Sequence, residues 1–192
     1  MPFGQPQPLF AAAAPNYGLI NNFGNAFGGV APVGAGRIIK IEKVYNCVLY
    51  EKFMNEFKRM LRKYPNLQVT DMVKHLFHGT RATSPKQIYE TEDGLDLRFS
   101  NSGMYGQGIY FADNSQYSHS YHHPTKDGQC QMFMALVLVG DSITLPPGQY
   151  RIPPNKQGST TERYDSINNG EGGHYIVYDN VKCYPGYIIT YK

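Results

Sequence analysis

The chain has 192 residues, with 18 Lys and Arg against 15 Asp and Glu and a formal net charge of +3. Its 16 Tyr, 10 Phe, 20 Gly and 13 Pro make it too apolar and aromatic for a disordered protein, and too turn-rich for a helical bundle or coiled coil. Every charged residue follows Gly36, which separates an uncharged stretch, 1–36, from a body, 37–192, long enough to bury one core.

Residues 1–36 interleave Gly, Pro and Ala with Asn and with Phe3, Phe10, Phe23 and Phe27. Such a low-complexity segment buries too little to offset its ordering entropy, so a disordered tail is expected. Ile38 to Val44 reads as a strand, with Ile39 and Ile41 alternating against Lys40 and Glu42. Leu49, Phe53, Phe57, Met60, Leu61 and Tyr64 then fall at helical steps until Pro65. An apolar segment ends Leu76-Phe77-His78-Gly79. Ser84-Pro85-Lys86-Gln87 has the signature of a helix start, and that short helix is expected to run to about Glu92.

Gly103 to Gly108 is a glycine-punctuated turn, followed by a short strand, Ile109 to Ala112. Asn114 to Tyr121 reads as one or two helical turns. Met132 to Val139 is a continuous apolar run, as in a strand buried on both faces. Pro146-Pro147 and Pro153-Pro154 bracket an irregular stretch, and two final strands are expected at Tyr175 to Tyr178 and Tyr187 to Tyr191. Helices early and strands late indicate an α+β fold.

The basic cluster Lys58, Arg59, Arg62 and Lys63 lies at helical spacing and reads as a solvated helix face, which argues against a nucleic-acid partner. Cys47, Cys130 and Cys183 are widely spaced and odd in number, as for reduced thiols in an intracellular protein, cytoplasmic or nuclear. No apolar run approaches the roughly 18 residues of a membrane helix, so no membrane association is expected.

Several chemistries fail on spacing. Gly103, Gly106 and Gly108 read G-x-x-G-x-G ahead of a strand, the reverse of a dinucleotide fingerprint, and no P-loop occurs. These glycines instead imply a backbone that turns tightly or lies against something flat. His119, His122 and His123 with Cys130 are zinc-type donors, but they meet no recognised ligand spacing. They are read as satisfied or exposed side chains, and no metal is expected. No serine lies in a nucleophile elbow, and no glycosidase-type carboxylate pair is evident.

What remains is an ordered set of blocks: "LFHGT" through His78, Gly79 and Thr80; "YGQGIYFADNSQYSHSY" through Tyr110, Ser118 and Tyr121; "MFMALVLVG"; "YDS" at Tyr164 to Ser166; and "YIVYDNVKCYPGYIITY". Together with the strand–helix at Ile38 to Leu61, they resemble the catalytic domain of the poly(ADP-ribose) polymerases from about Ile38 to Tyr191. The resemblance implies the ADP-ribosyltransferase fold, two packed, mostly antiparallel β-sheets with few flanking helices. It implies NAD+ as substrate, protein acceptors (the chain itself a candidate among them) and release of nicotinamide. By this likeness His78 would hold the adenosine ribose, and the Gly79 backbone, in the block that includes Thr80, would clamp the nicotinamide amide with help from Ser118. Tyr110 and Tyr121 would sandwich the ring. Leu95 to Met104 resembles the loop over NAD+, with Arg98 at the place of an arginine in some relatives.

One position departs from the pattern. Where the family has the glutamate that completes a His–Tyr–Glu triad with His78 and Tyr110, this chain has His174. Imidazole supplies no fixed negative charge to an oxocarbenium-like centre, so transfer of a single ADP-ribose is favoured over polymer synthesis. Glu171, three residues upstream, is a weaker substitute in a glycine-rich loop. The alternative is an inactive NAD+- or ADP-ribose-binding scaffold. A plain interaction protein using the tail and tyrosines is disfavoured by His78, Gly79, Tyr110, Ser118 and Tyr121.

Overall fold

The computed structural model describes residues 37–192; the expected tail at 1–36 lies outside the described residues. β1 (Ile38–Lys43) leads into α1 (Cys47–Lys63), a one-turn α2 (Val69–Met72) and β2 (Val73–His78). α3 (Pro85–Tyr89), a 3-10 turn at Leu97–Phe99, β3 (Ile109–Ala112) and α4 (Ser115–His119) follow. β4 (His123–Pro124), β5 (Cys130–Leu138), β6 (Ser142–Thr144), β7 (Ser166–Asn168), β8 (His174–Val177) and β9 (Cys183–Tyr191) complete the fold.

The α+β class is as expected, with one refinement. The strands form a single hydrogen-bonded path, β1-β9-β5-β2-β3-β8-β7-β6, rather than two separate sheets. Its halves meet at one registered pair, Phe77 opposite Ala112, whereas β2 pairs with β5 over six positions. The two expected sheets are thus present as halves that splay apart beyond one shared rung. Pairing is antiparallel except between β6 and β7.

α1 forms where its periodicity places it. Leu49, Phe53, Phe57 and Met60 are buried on one face, each removal from water contributing roughly 1.5–3 kcal/mol. They pack on Met72, Leu138 and Tyr184. Asn46 caps the start, its Oδ1 accepting from the Leu49 N–H at 3.0 Å, and Arg62 and Lys63 lie in the last turn, where cations suit the helix dipole. Lys58, Arg59, Arg62 and Lys63 are exposed, with Arg59 paired to Glu56 at 2.6 Å.

Three elements differ from their sequence outlines. α3 stops at Tyr89, and Ser84 makes no side-chain cap bond. β9 starts at Cys183 and runs through Pro185-Gly186, because its register against β5 shifts between Met134 and Leu136. That bulge lets a residue lacking an N–H sit in a strand paired on both sides. Ile38, Ile39 and Ile41 are all at least 39% exposed, because β1 is the edge of the sheet and alternation there buries neither face.

Candidate active site

The site gathers where the two half-sheets part. β2 ends at His78, and its Nδ1–H donates to the Tyr110 carbonyl across the split at 2.7 Å. A carbonyl can only accept, so Nδ1 carries the proton and Nε2 of the neutral ring presents a lone pair. Burial pushes the His78 pKa below the ordinary histidine value, against the opposing pull of that bond. The ring is fixed as a hydrogen-bond acceptor.

On β3, alternation sends Phe111 into the core at 2% exposure and leaves Tyr110 half-buried on the other face. The Tyr110 hydroxyl is occupied at both ends: it donates to the Gly106 carbonyl at 2.7 Å and accepts from the Tyr105 N–H at 2.9 Å. Desolvation raises its pKa. Tyr110 therefore offers a held ring face and no acid–base chemistry. The glycine turn behaves as its spacing implied. Gly103 and Gly106 exchange backbone bonds at 3.0 and 3.1 Å, and a Cβ on Gly103 would lie 2.7 Å from Tyr110 Cζ. The flat object is the Tyr110 ring.

Gly79, Ser118 and Tyr121 form one shelf. A Cβ on Gly79 would lie 2.3 Å from the Tyr121 carbonyl oxygen and 2.7 Å from that of Ser118. Glycine is required here by the protein's own backbone, whatever ligand the site holds. Asn114 Oδ1 caps α4 by accepting from the Gln116 N–H at 2.8 Å. α4 buries Ser118 at 4% exposure and closes with the Tyr121 N–H donating to the Ser118 carbonyl at 3.0 Å.

His174 opens β8 opposite Ala112, two residues along β3 from Tyr110. Its backbone N–H donates to Asn169 Oδ1 at 2.9 Å, which turns the Asn169 Nδ2–H toward His174 Nδ1 at 3.0 Å. Nδ1 must then accept, so the neutral ring carries its proton on Nε2. Burial lowers the His174 pKa, partly offset by the Asp113 carboxylate. A carboxylate at this position would accept hydrogen bonds and carry charge. His174 does the reverse on both counts, presenting an uncharged donor.

Tyr117 and Arg81 bridge these groups. The Tyr117 ring lies 3.9 Å from His174 and 5.4 Å from Tyr121, centroid to centroid, and its hydroxyl is 3.3 Å from that of Tyr121. Desolvation pushes its pKa up to about 12. Arg81, at φ +51°, places its guanidinium carbon 4.3 Å over the Tyr121 ring. Tyr117, Arg81 and Asn169 were missed as site residues. Tyr117 had a signal, since its four-residue step from Tyr121 puts both on one helix face; Arg81 and Asn169 had none.

The remaining sequence candidates fall elsewhere. The Thr80 hydroxyl closes its own turn, donating to the Thr83 carbonyl at 2.6 Å. Arg98 is not joined to the His78–Tyr110 group; its exposed guanidinium is held by Asp93 and Asp96, each at 2.7 Å. Glu171 is exposed on a 3-10 turn, Gly170–Gly172.

Similarity to known proteins assigns the chain to a family. A family model described as the poly(ADP-ribose) polymerase catalytic domain matches residues 17–171. The chain is 40% identical over 158 residues to a probable poly [ADP-ribose] polymerase of Dictyostelium discoideum, covering 81% of this chain and 44% of that protein. It is 31% identical over 155 residues to protein mono-ADP-ribosyltransferase PARP12 of Mus musculus, covering 80% and 21% respectively. With the human protein mono-ADP-ribosyltransferase PARP14 it shares 30% over 161 residues, 81% of this chain and 9% of that protein. The chain belongs to the poly(ADP-ribose) polymerase catalytic domain family. It spans less than half the length of these three relatives, and the family match ends three residues before His174, whose place is fixed by the β3–β8 pairing.

Proposed function

We propose that residues 37–192 form an ADP-ribosyltransferase domain that uses NAD+ as substrate and transfers single ADP-ribose units to protein acceptors, itself among them, in an intracellular setting, cytoplasmic or nuclear. The observation that carries this reading is the His78–Tyr110 bond at the sheet junction. It fixes His78 Nε2 as an acceptor, while the bonds of the Tyr110 hydroxyl to Gly106 and Tyr105 hold that ring; in this reading both face the shelf of Gly79, Ser118 and Tyr121.

In this reading the nicotinamide ring lies between Tyr110 and Tyr121, where aromatic stacking adds roughly 0.5–1.5 kcal/mol per pair beyond burial. Tyr117 extends that wall toward His174. The Gly79 backbone and the Ser118 hydroxyl hold the carboxamide, and His78 Nε2 accepts from a ribose hydroxyl. The bond from ribose C1′ to the pyridinium nitrogen breaks with its electron pair leaving on nicotinamide. That leaving group departs neutral, so no acid is needed. The oxocarbenium-like C1′ is then attacked by an acceptor nucleophile, whose proton passes to solvent.

His174 limits the outcome. Its Nε2–H can donate to the ribose 2′-oxygen but cannot stabilise the developing cation or activate an incoming ribose hydroxyl. This supports single transfer over chain growth. The same geometry favours a second reading, an NAD+-binding module that transfers nothing. Incubation of the purified chain with labelled NAD+ and a cell extract, with Tyr110→Ala as control, separates the two. Label transfer that disappears in the control supports the enzyme, binding without transfer supports the module, and absence of both overturns the assignment.

A further inference from the structure

After α4 the chain winds through Ser120, Tyr121 and His122, the His122 N–H donating to the His119 carbonyl at 3.1 Å. It then pairs β4 with the start of β5, Pro124 opposite Cys130. That pairing returns Cys130 to the two histidines. One ring nitrogen each of His119 and His122 and the Cys130 sulfur all lie within 4.8 Å of one another, and all three residues are half-buried. The imidazoles stack at 5.0 Å with 16° between their planes.

The outer partners are those of ligand histidines. His122 Nδ1–H donates to the His119 carbonyl at 2.7 Å, and His119 Nδ1 is bonded to the Tyr191 hydroxyl at 2.9 Å. Both leave Nε2 for another partner. Metal-bound histidines usually spend their second nitrogen on a carbonyl or similar group in this way, which fixes tautomer and ring orientation. His123, also a candidate in sequence, does not join them: its ring nitrogens are not among the donor atoms gathered within 4.8 Å, and its Nδ1–H is turned to the Arg81 carbonyl.

We propose that His119, His122 and Cys130 bind a zinc-type divalent ion, with the fourth position open to water. Two imidazoles and one thiolate are borderline-soft donors that suit zinc and not magnesium or calcium. Tetrahedral ligation puts such donor atoms about 3.3–3.6 Å apart, a contraction of about 1 Å that side-chain rotation supplies. Binding exchanges the Cys130 thiol proton for the metal and releases it to solvent. His119 follows Ser118 and His122 follows Tyr121, so the ion would clip the shelf loop to β5 and, through Tyr191, to β9. The sequence expectation of no metal rested on unrecognised ligand spacing in a polar, loop-like segment, where the β4–β5 pairing that returns Cys130 to the histidines is not legible.

The test uses tag-free, chelator-treated full chain titrated with Co2+, followed by Zn2+ competition, and does not depend on NAD+. One equivalent should bind with a thiolate-to-cobalt charge-transfer band and intense tetrahedral d–d bands, and Zn2+ should abolish both. Cys130→Ser should remove the charge-transfer band, and His122→Ala should weaken binding at least about 10-fold. His123→Ala should bind as wild type. In the unmutated chain, one equivalent of Zn2+ should protect Cys130 from alkylation, read by peptide mass spectrometry, which keeps the test valid if a variant misfolds. Absence of Co2+ binding, retention of the spectrum in Cys130→Ser, or alkylation of Cys130 unaffected by Zn2+ overturns the proposal.

Discussion

Replacing His174 by glutamate tests the link between one side chain and the choice of reaction. The backbone bond from residue 174 to Asn169 Oδ1 at 2.9 Å does not depend on the side chain. The Asn169 Nδ2–H, now 3.0 Å from His174 Nδ1, would donate to the new carboxylate instead. Tyr117, 3.9 Å from the imidazole, would confine the carboxylate to the same wall. His174→Glu thus exchanges an uncharged donor for an anionic acceptor at the position where the proposed function places the ribose. A hydrogen bond to a charged group contributes about 1.5–3 kcal/mol, which corresponds to roughly 10- to 100-fold in kcat when it acts in the transition state. Asp113 already acts on the charge of His174, so like-charge repulsion should lower Tm slightly. The assay is nicotinamide release at saturating NAD+, with transferred label measured in parallel. A folded His174→Glu protein whose kcat stays within about twofold of the parent would refute the reasoning, because the missing carboxylate would then not limit the reaction.

Gly79→Ala should abolish NAD+ binding and cost about 1–3 kcal/mol of stability, since the new Cβ meets backbone at 2.3 Å; calorimetric titration and a thermal melt check both. Asn169→Asp replaces the donor to His174 Nδ1 with an acceptor, so the imidazole should take its proton at Nδ1 and its pKa should rise; a histidine NMR titration unchanged from wild type would contradict the tautomer assignment. Burial lowers the pKa values of His75, His78 and His174. The unfolded chain protonates these groups near the ordinary value of about 6.5, the folded chain only below it. Protons therefore favour the unfolded state as pH falls through that window, and Tm should drop between about pH 7 and pH 5.5. A flat Tm over that range would show these rings to be solvated.

The sequence disclosed what periodicity and short-range chemistry govern. The apolar steps of α1, the alternation that separates Phe111 from Tyr110, and the tight turn against a flat ring all appear where expected. Pairings made at long range were not legible. β6 and β7 are three-residue strands joined in parallel across the proline-rich stretch, with too few residues to show a period. β9 was cut short at Tyr187, because Pro185-Gly186 reads as a terminator until the bulge against β5 is known. Asn169 carries no motif: it lies only five residues before His174, and the glycine-rich turn between them is what brings its amide to the imidazole Nδ1. Arg98 was placed toward substrate by its position in the loop, while Asp93 and Asp96, five and two residues away, hold its guanidinium.

The central claim is that this site transfers one ADP-ribose and stops. Phosphodiesterase digestion of acceptors modified by the wild-type chain measures it directly. A single unit on each site releases AMP from its adenosine end, whereas the interior units of a chain release phosphoribosyl-AMP. AMP alone, in amounts that vanish with Tyr110→Ala, is the predicted result; phosphoribosyl-AMP as a major product would contradict it.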